Sequence, residues 1–273
     1  MKNSKWLYLL TIIFTLGFIT ACEENTTNQD ARWYPPAEKT GQNANNKPKN
    51  IYGHWVCDDF INLVKARKTV RGIRHRPFFL EIVFNPDFGD SALLVTGYTD
   101  FKAAYTKAGQ DSIVLKNIVL GKDLILFVDE GMTRLQLEDV LVGEKADVQA
   151  HTWMFSKQQS AQKKGIINSL TNKELMAGNY TLKEKTVRFL ENGSVSGLQN
   201  FTTYNVCNGG DCFGNTRTDL DIIELQGDGK SERMAFLSKT NDSVYLYMLK
   251  PLVVKNKTYY VPDSVAYGLK KIR

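Results

Sequence analysis

Histidine and cysteine are scarce in this 273-residue chain, with three of the first and four of the second. His54, His75 and His151 lie far apart, and none stands at metal-ligand spacing from another His or Cys, so no metal site is expected. Neither a Gly-x-Ser-x-Gly elbow nor a His-Glu-x-x-His motif occurs, and no two carboxylates stand out as an acid and a base. A Cys–His dyad would need Cys57 beside His54 or His151. Reactive thiols need exposed, electropositive surroundings, so Cys57 reads as a small buried hydrophobe, with a longer-range cysteine partner as the alternative. No catalytic residue and no cofactor are therefore expected. Long apolar runs are missing as well: past residue 21 no segment approaches the ~20 residues of a spanning helix. Charge of one sign is also weak, and a net +6 does not by itself argue for nucleic acid.

What is present begins with an address. Lys2 and Lys5 precede the uncharged apolar run Trp6–Ala21, which ends in Ile19-Thr20-Ala21-Cys22. This ending resembles the lipobox of bacterial lipoproteins. The resemblance implies a signal peptide over residues 1–21, cleavage before Cys22, and diacylglycerol and palmitate-type acyl chains on that cysteine, which hold the chain to a membrane. Cleavage would remove Lys2 and Lys5 and take the net charge from +6 to +4. Residues 22–50 are rich in Asn, Thr, Gln, Pro and charge, the composition of a flexible tether spanning roughly 30 Å root-mean-square. Glu23 and Glu24 resemble sorting signals of some outer-membrane-bearing bacteria, and read equally well as the acidic start of a polar tether. The expected place is the cell envelope, at the outer membrane, on its periplasmic or surface face.

The remaining chain reads as mainly β. Runs rich in aromatic and β-branched residues, such as Phe78–Phe84, Ser112–Leu120, Leu124–Val128, Leu220–Leu225 and Val244–Leu249, alternate with Gly, Asp and Asn turns, which predicts an antiparallel barrel or sandwich. Two helices are expected. One covers residues 58–68, acidic at its start and basic at its end; the other covers 171–177, opened by a capping box at Thr171-Asn-Lys-Glu174. The polar stretch 158–167 is read as a linker between β domains at 51–157 and 168–273. Cys207 and Cys212 flank Asn-Gly-Gly-Asp, and in an exported protein they are expected to form a disulfide across a hairpin loop.

The two halves resemble each other. Gly53-His-Trp55 matches Gly178-Asn-Tyr180, Val83–Gly89 matches Val187–Gly193, and Asp123–Phe127 matches Asp242–Tyr247. A Gly-x-aromatic motif leading into a strand, a glycine turn and a meander resembles the lipocalin-like (calycin) barrels. The resemblance implies two tandem barrels, with Trp55 and Tyr180 as the aromatic plugs of their closed ends.

Three further patterns bear on function. Lys65, Arg67, Lys68, Arg71, Arg74 and Arg76 form the densest charge run, read either as a patch for an anionic partner or as the solvated exit of the first helix. The Asp-Ser-aliphatic sequences at Ser91, Ser112, Ser243 and Ser264 resemble the acceptor motif of a general periplasmic O-glycosylation system; turn-to-strand transitions account for them equally well. The acid-rich Gly227-Asp-Gly-Lys reads as a hairpin turn rather than a calcium loop. The expected function is a non-enzymatic, lipid-anchored binding or structural module, partnered by the membrane and by an anionic glycan or an envelope protein. The alternatives are a carrier of an apolar ligand in an interior lined by Phe78, Phe84, Trp153, Tyr204 and Tyr247, an envelope hydrolase, or an enzyme inhibitor.

Overall fold

A computed structural model describes residues 50–272 apart from 72, 74–75, 98, 110, 120, 130–133, 140–150, 159–164, 210–214, 217 and 240–241. The expected signal peptide, Cys22, nearly all of the tether and most of the linker lie outside the described residues. The described residues belong to one compact unit beginning at Pro48.

The chain forms two eight-stranded antiparallel barrels in tandem. In the first, β1 (Gly53–Cys57), β2 (Glu81–Phe84), β3 (Ser91–Val95), β4 (Asp100–Lys107), β5 (Ser112–Val119), β6 (Lys122–Val128), β7 (Arg134–Asp139) and β8 (His151–Gln158) follow one another as a meander. β8 closes the ring on β1, with Trp55 opposite Lys157. The second contains β9 (Gly178–Leu182), β10 (Lys185–Phe189), β11 (Val195–Ser196), β12 (Thr203–Val206), β13 (Asp221–Gly227), β14 (Lys230–Lys239), β15 (Ser243–Val254) and β16 (Lys257–Lys271). Here β16 pairs with β9, and the remaining gap is nearly shut. Ser194 bridges Thr203, Val195 N–H donates to Thr202 O at 2.8 Å, and Tyr204 N–H donates to Gly193 O at 2.7 Å.

Period-two patterning drives this architecture. In β6, Leu124, Leu126 and Val128 are buried while Lys122, Asp123, Ile125 and Phe127 face water. The inward side chains pack against each other: Phe84 meets Tyr105 edge-on at 5.1 Å between ring centres, and Phe189 meets Tyr180 and Tyr204 edge-on at 5.8 and 5.0 Å. Phe79 lies 5.8 Å from Phe155. Edge-to-face rings at these separations are the favoured aromatic arrangement.

Two helices join the barrels. α1 (Asp58–Arg67) follows β1, with acids in its first turn and bases in its last as its charge order predicts, and it buries Phe60 and Val64. α2 (Ile166–Leu175) begins five residues before the expected capping box. Thr171 is no cap: it lies mid-helix, buried, with its hydroxyl donating to Ile167 O at 2.9 Å. Both polar residues are buried: Thr171 is bonded within its own helix, and Asn172 is turned to Val206 and Glu191 of the second barrel. α1, α2 and both interiors form one continuous apolar core.

The internal repeat has a physical basis. Trp55 and Tyr180 are both buried, and each donates to the carbonyl four residues earlier: Trp55 Nε1–H to Ile51 O and Tyr180 O–H to Met176 O, both at 2.9 Å. Each stands opposite a lysine of its barrel's last strand, Lys157 and Lys271. Lys157 Nζ lies 5.5 Å above the Trp55 ring and donates to Asn50 O, and burial pushes its pKa down. The glycine two residues before each ring makes room for that lysine. A Cβ on Gly53 would sit 2.8 Å from Lys157 Cε, and one on Gly178 would sit 3.4 Å from Lys271 Cε. The third expected match fails in strand order, because Asp123–Phe127 lies on the sixth strand of its barrel and Asp242–Tyr247 leads into the seventh. Tyr180→Phe strands a buried carbonyl and is expected to lower stability by about 1 kcal/mol; Trp55→Phe adds lost packing and should cost about 2 kcal/mol. Urea denaturation of the two variants checks both values.

Candidate functional site

A buried carboxylate on β2 builds the seam between the barrels. Glu81 is fully buried; its Oε1 lies 2.7 Å from His54 Nδ1, and its Oε2 accepts from Ile167 N–H at 3.1 Å. Ile167 is in the first turn of α2, whose N-cap Gly165 has no side chain to offer. Glu81 of the first barrel thus satisfies a free N–H at the positive end of the helix. On the other side of α2, Asn172 Oδ1 accepts from Val206 N–H of β12 at 3.2 Å and its Nδ2 donates to Glu191 O at 3.4 Å. Asn208 Nδ2 donates to Asn168 Oδ1 on the same helix.

The basic run extends this seam. Lys68 ends α1 in the left-handed region and pairs with Glu174 of α2 at 3.0 Å. The next three residues wrap the Asp221 carboxylate: Thr69 Oγ1, Val70 N–H and Arg71 N–H all donate to Oδ1, at 3.0, 2.9 and 2.8 Å. Arg71 Nη2 donates to Thr216 O at 3.3 Å, and Arg76 Nη1 donates to Asn208 O at 3.1 Å. Lys68, Arg71 and Arg76 therefore contact the second barrel or α2, whereas Lys65 and Arg67 are exposed on α1. Arg74 and His75 lie outside the described residues. Burial pushes the Asp221 carboxyl above the usual carboxylate range, outweighing the opposing hydrogen bonds from Arg71, Thr69 and Val70 and the Arg71 charge.

The other expected sites are dispersed. Ser91, Ser112 and Ser243 each open a strand. The aspartate before each has a backbone role, its carbonyl accepting from Tyr105, Val128 and Lys271 N–H respectively. Ser264 is exposed in a bulge of β16, where the pairing skips between Val265 and Pro262. Cys57 is a free buried thiol whose pKa burial pushes well up, and Cys207 is buried just past β12; Cys212 lies outside the described residues. Asp228 and Gly229 form the two-residue turn between β13 and β14, both at positive φ. Among the described residues, no group of three or more His, Cys, Asp or Glu is placed to hold a metal, and no helix is long and apolar enough to cross a membrane.

The five aromatics expected to line one interior do not share one. Phe84 and Trp153 are buried in the first barrel and Tyr204 in the second. Phe78 is exposed and stacks edge-on against Phe101 at 6.2 Å, and Tyr247 covers a small outer cluster of Cys207, Ile222 and Ala235. Beside that cluster an open hollow of about 270 Å³ is lined by Ser231, Arg233, Leu249 and Tyr260. Arg233 Nε–H and Ser231 O–H both donate to Glu224 Oε1 near it, at 3.1 and 3.0 Å.

Nothing in the local sequence assigns Glu81, Asn172 or Asp221 to a seam, and Asn172 is expected only within a capping box. A lone acid within the apolar run Phe78–Phe84 was the one available signal for Glu81, since an acid is rarely buried without a partner. Asp221→Ala strands three donors and is expected to lower stability by about 3 kcal/mol, while Asp221→Asn, which keeps an acceptor oxygen, should cost under about 1 kcal/mol. The folded state holds the Asp221 proton more tightly than the unfolded chain. Wild type should therefore gain on the Asn variant as pH falls through the raised folded-state pKa toward 3.8. Urea melts across that window test this, and parallel curves would refute it. No family model, curated protein or solved structure matches the chain.

Proposed function

We propose that this chain is a lipid-anchored protein of the cell envelope whose folded part is a non-enzymatic binding or structural module working through its outer surface. The observation that carries the reading is the close packing of both interiors. Rings at 5.0 to 5.8 Å occupy the space that a carried ligand would need, as is usual in barrels of this size. The lipobox at Cys22 supports the address, and the tandem barrels with their Gly-x-aromatic starts support a kinship with the lipocalin-like barrels. A Cys207–Cys212 disulfide would suit an exported chain. Lys65, exposed on α1, is the member of the basic run best placed to meet an anionic glycan, and Ser264 is the most exposed of the four Asp-Ser serines.

Mass spectrometry of the protein extracted from its own membrane tests this reading. The expected result is a chain starting at Cys22 with lipid attached, and one mass under native and denaturing conditions. Loss of a small molecule on denaturation would favour the carrier instead. A chain without lipid would remove the anchor.

A further inference from the structure

The second barrel carries a hairpin longer than the barrel needs. β15 and β16 have 12 and 15 residues, but β14 leaves β15 at Met248, and β9 pairs with β16 only at Lys270 and Lys271. From Leu249 the two strands continue together for six residues, roughly 20 Å at ~3.3 Å per residue, to a two-residue turn. At Tyr260 the arm is held from the side: this residue bridges Thr216 and donates its N–H to Asn215 O at 3.0 Å. Beyond it, both faces of the ribbon carry apolar side chains. Leu252 pairs with Tyr259 on one face; Val253 pairs with Thr258, and Pro251 with Tyr260, on the other. Val253, 66% exposed, is the most exposed large apolar residue of the described chain, and Leu252 is 42% exposed. No core lies against them.

Cations accompany this apolar surface. Lys250, Lys255 and Lys257 are exposed, against a single acid, Asp263, which pairs with Lys250 at 2.6 Å and whose carboxyl that lysine holds below the usual range. Lys255 and Asn256 both adopt positive φ, at 48° and 61°. Asn or Gly is the favourable residue at the first of these positions, so a lysine there is held at the tip against backbone preference. Pro251 and Pro262 lack the N–H that an added strand would need, and lysines on an edge oppose strand pairing, so a peptide adding to this ribbon is disfavoured. Lysines around exposed aliphatics, with tyrosines one or two residue pairs behind, fit a surface that is anionic outside and apolar beneath.

We infer that the β15–β16 hairpin is a membrane-contact arm, its lysines on the phosphates of anionic lipids and Leu252 and Val253 among the headgroups. It would give the folded part a second hold on the bilayer to which the proposed lipid anchor tethers it, and it rests on that address for its membrane. Exposed lysines near such a surface each contribute about 1 kcal/mol, less as salt rises.

The test uses the chain from Glu23 onward, which carries no lipid and keeps the whole compact unit, mixed with vesicles of phosphatidylethanolamine and phosphatidylglycerol. It should co-sediment with them, bind phosphatidylcholine vesicles far less, and be released by salt. Lys255→Gln with Lys257→Gln should weaken binding on the order of 30-fold. Leu252→Ser with Val253→Ser should weaken it without changing the salt dependence. Lys183→Gln with Lys185→Gln, on the exposed β9–β10 turn, should leave it unchanged. All these positions are at the surface, and circular dichroism confirms that each variant is folded. Absence of vesicle binding overturns the inference, as does equal loss from the control pair. Either failure leaves lipidation at Cys22 untouched, since the intact protein's mass reads it separately.

Discussion

A fully buried carboxylate has to find partners, and Glu81 finds them on both sides of a boundary. One oxygen faces His54 on the neighbouring strand of its own barrel; the other takes an N–H from the first turn of α2. Leaving either oxygen unanswered would cost several times a surface ion pair. The helix is thereby held against β1 and β2, and everything on its other face follows. Asn172 reaches Val206 and Glu191, Asn168 receives Asn208, and Glu174 receives Lys68. Asp221 performs the reciprocal service, a carboxylate of the second barrel gathering three donors from the chain that leaves α1. The barrels are joined by polar groups that cannot separate without stranding each other, set in an apolar core that runs through both.

Within each barrel the same device recurs. A buried ring on the first strand bonds to a carbonyl four residues back and faces a lysine of the last strand, while a glycine clears the path of that lysine. The match survives the change from Trp to Tyr because each ring keeps one polar donor at its edge for the same backbone acceptor. What differs is the connection after the first strand. The first barrel inserts α1 before β2, whereas the second turns at Lys183 directly into β10. α1 is thus free to meet α2.

Strand alternation and turn residues made most of this fold readable: the runs at Ser112, Leu124 and Leu220 became β5, β6 and β13. β4 escaped because Asp100–Lys107 buries only Ala103 and Tyr105 and shows water a polar face. Pro262-Asp-Ser264 has the residues of a turn yet lies inside one long strand, where a bulge accommodates residues that normally end strands. The seam was the least legible part. Lys68, Arg71 and Arg76 look like any basic run, and their partners Glu174, Thr216 and Asn208 stand more than 100 residues away, so no local pattern joins them. A capping-box signature in α2 had the right residue types for a helix start and the wrong reason for them.

Rings pack closely inside both barrels and the seam carboxylates find their donors, whereas the exposed apolar side chains of the β15–β16 arm have no such role. Stability accounts for Trp55, Tyr180, Glu81 and Asp221. It does not account for Val253 and Leu252, which bury little, or for a lysine in a left-handed turn where the backbone prefers another residue. A two-stranded ribbon is marginal by itself, and this one is held at its base by the rest of the sheet and at Tyr260 by the 215–216 segment. That same segment receives Arg71 from the first barrel. The arm is therefore braced by the seam, because the segment that holds Tyr260 is itself held by Arg71 of the first barrel.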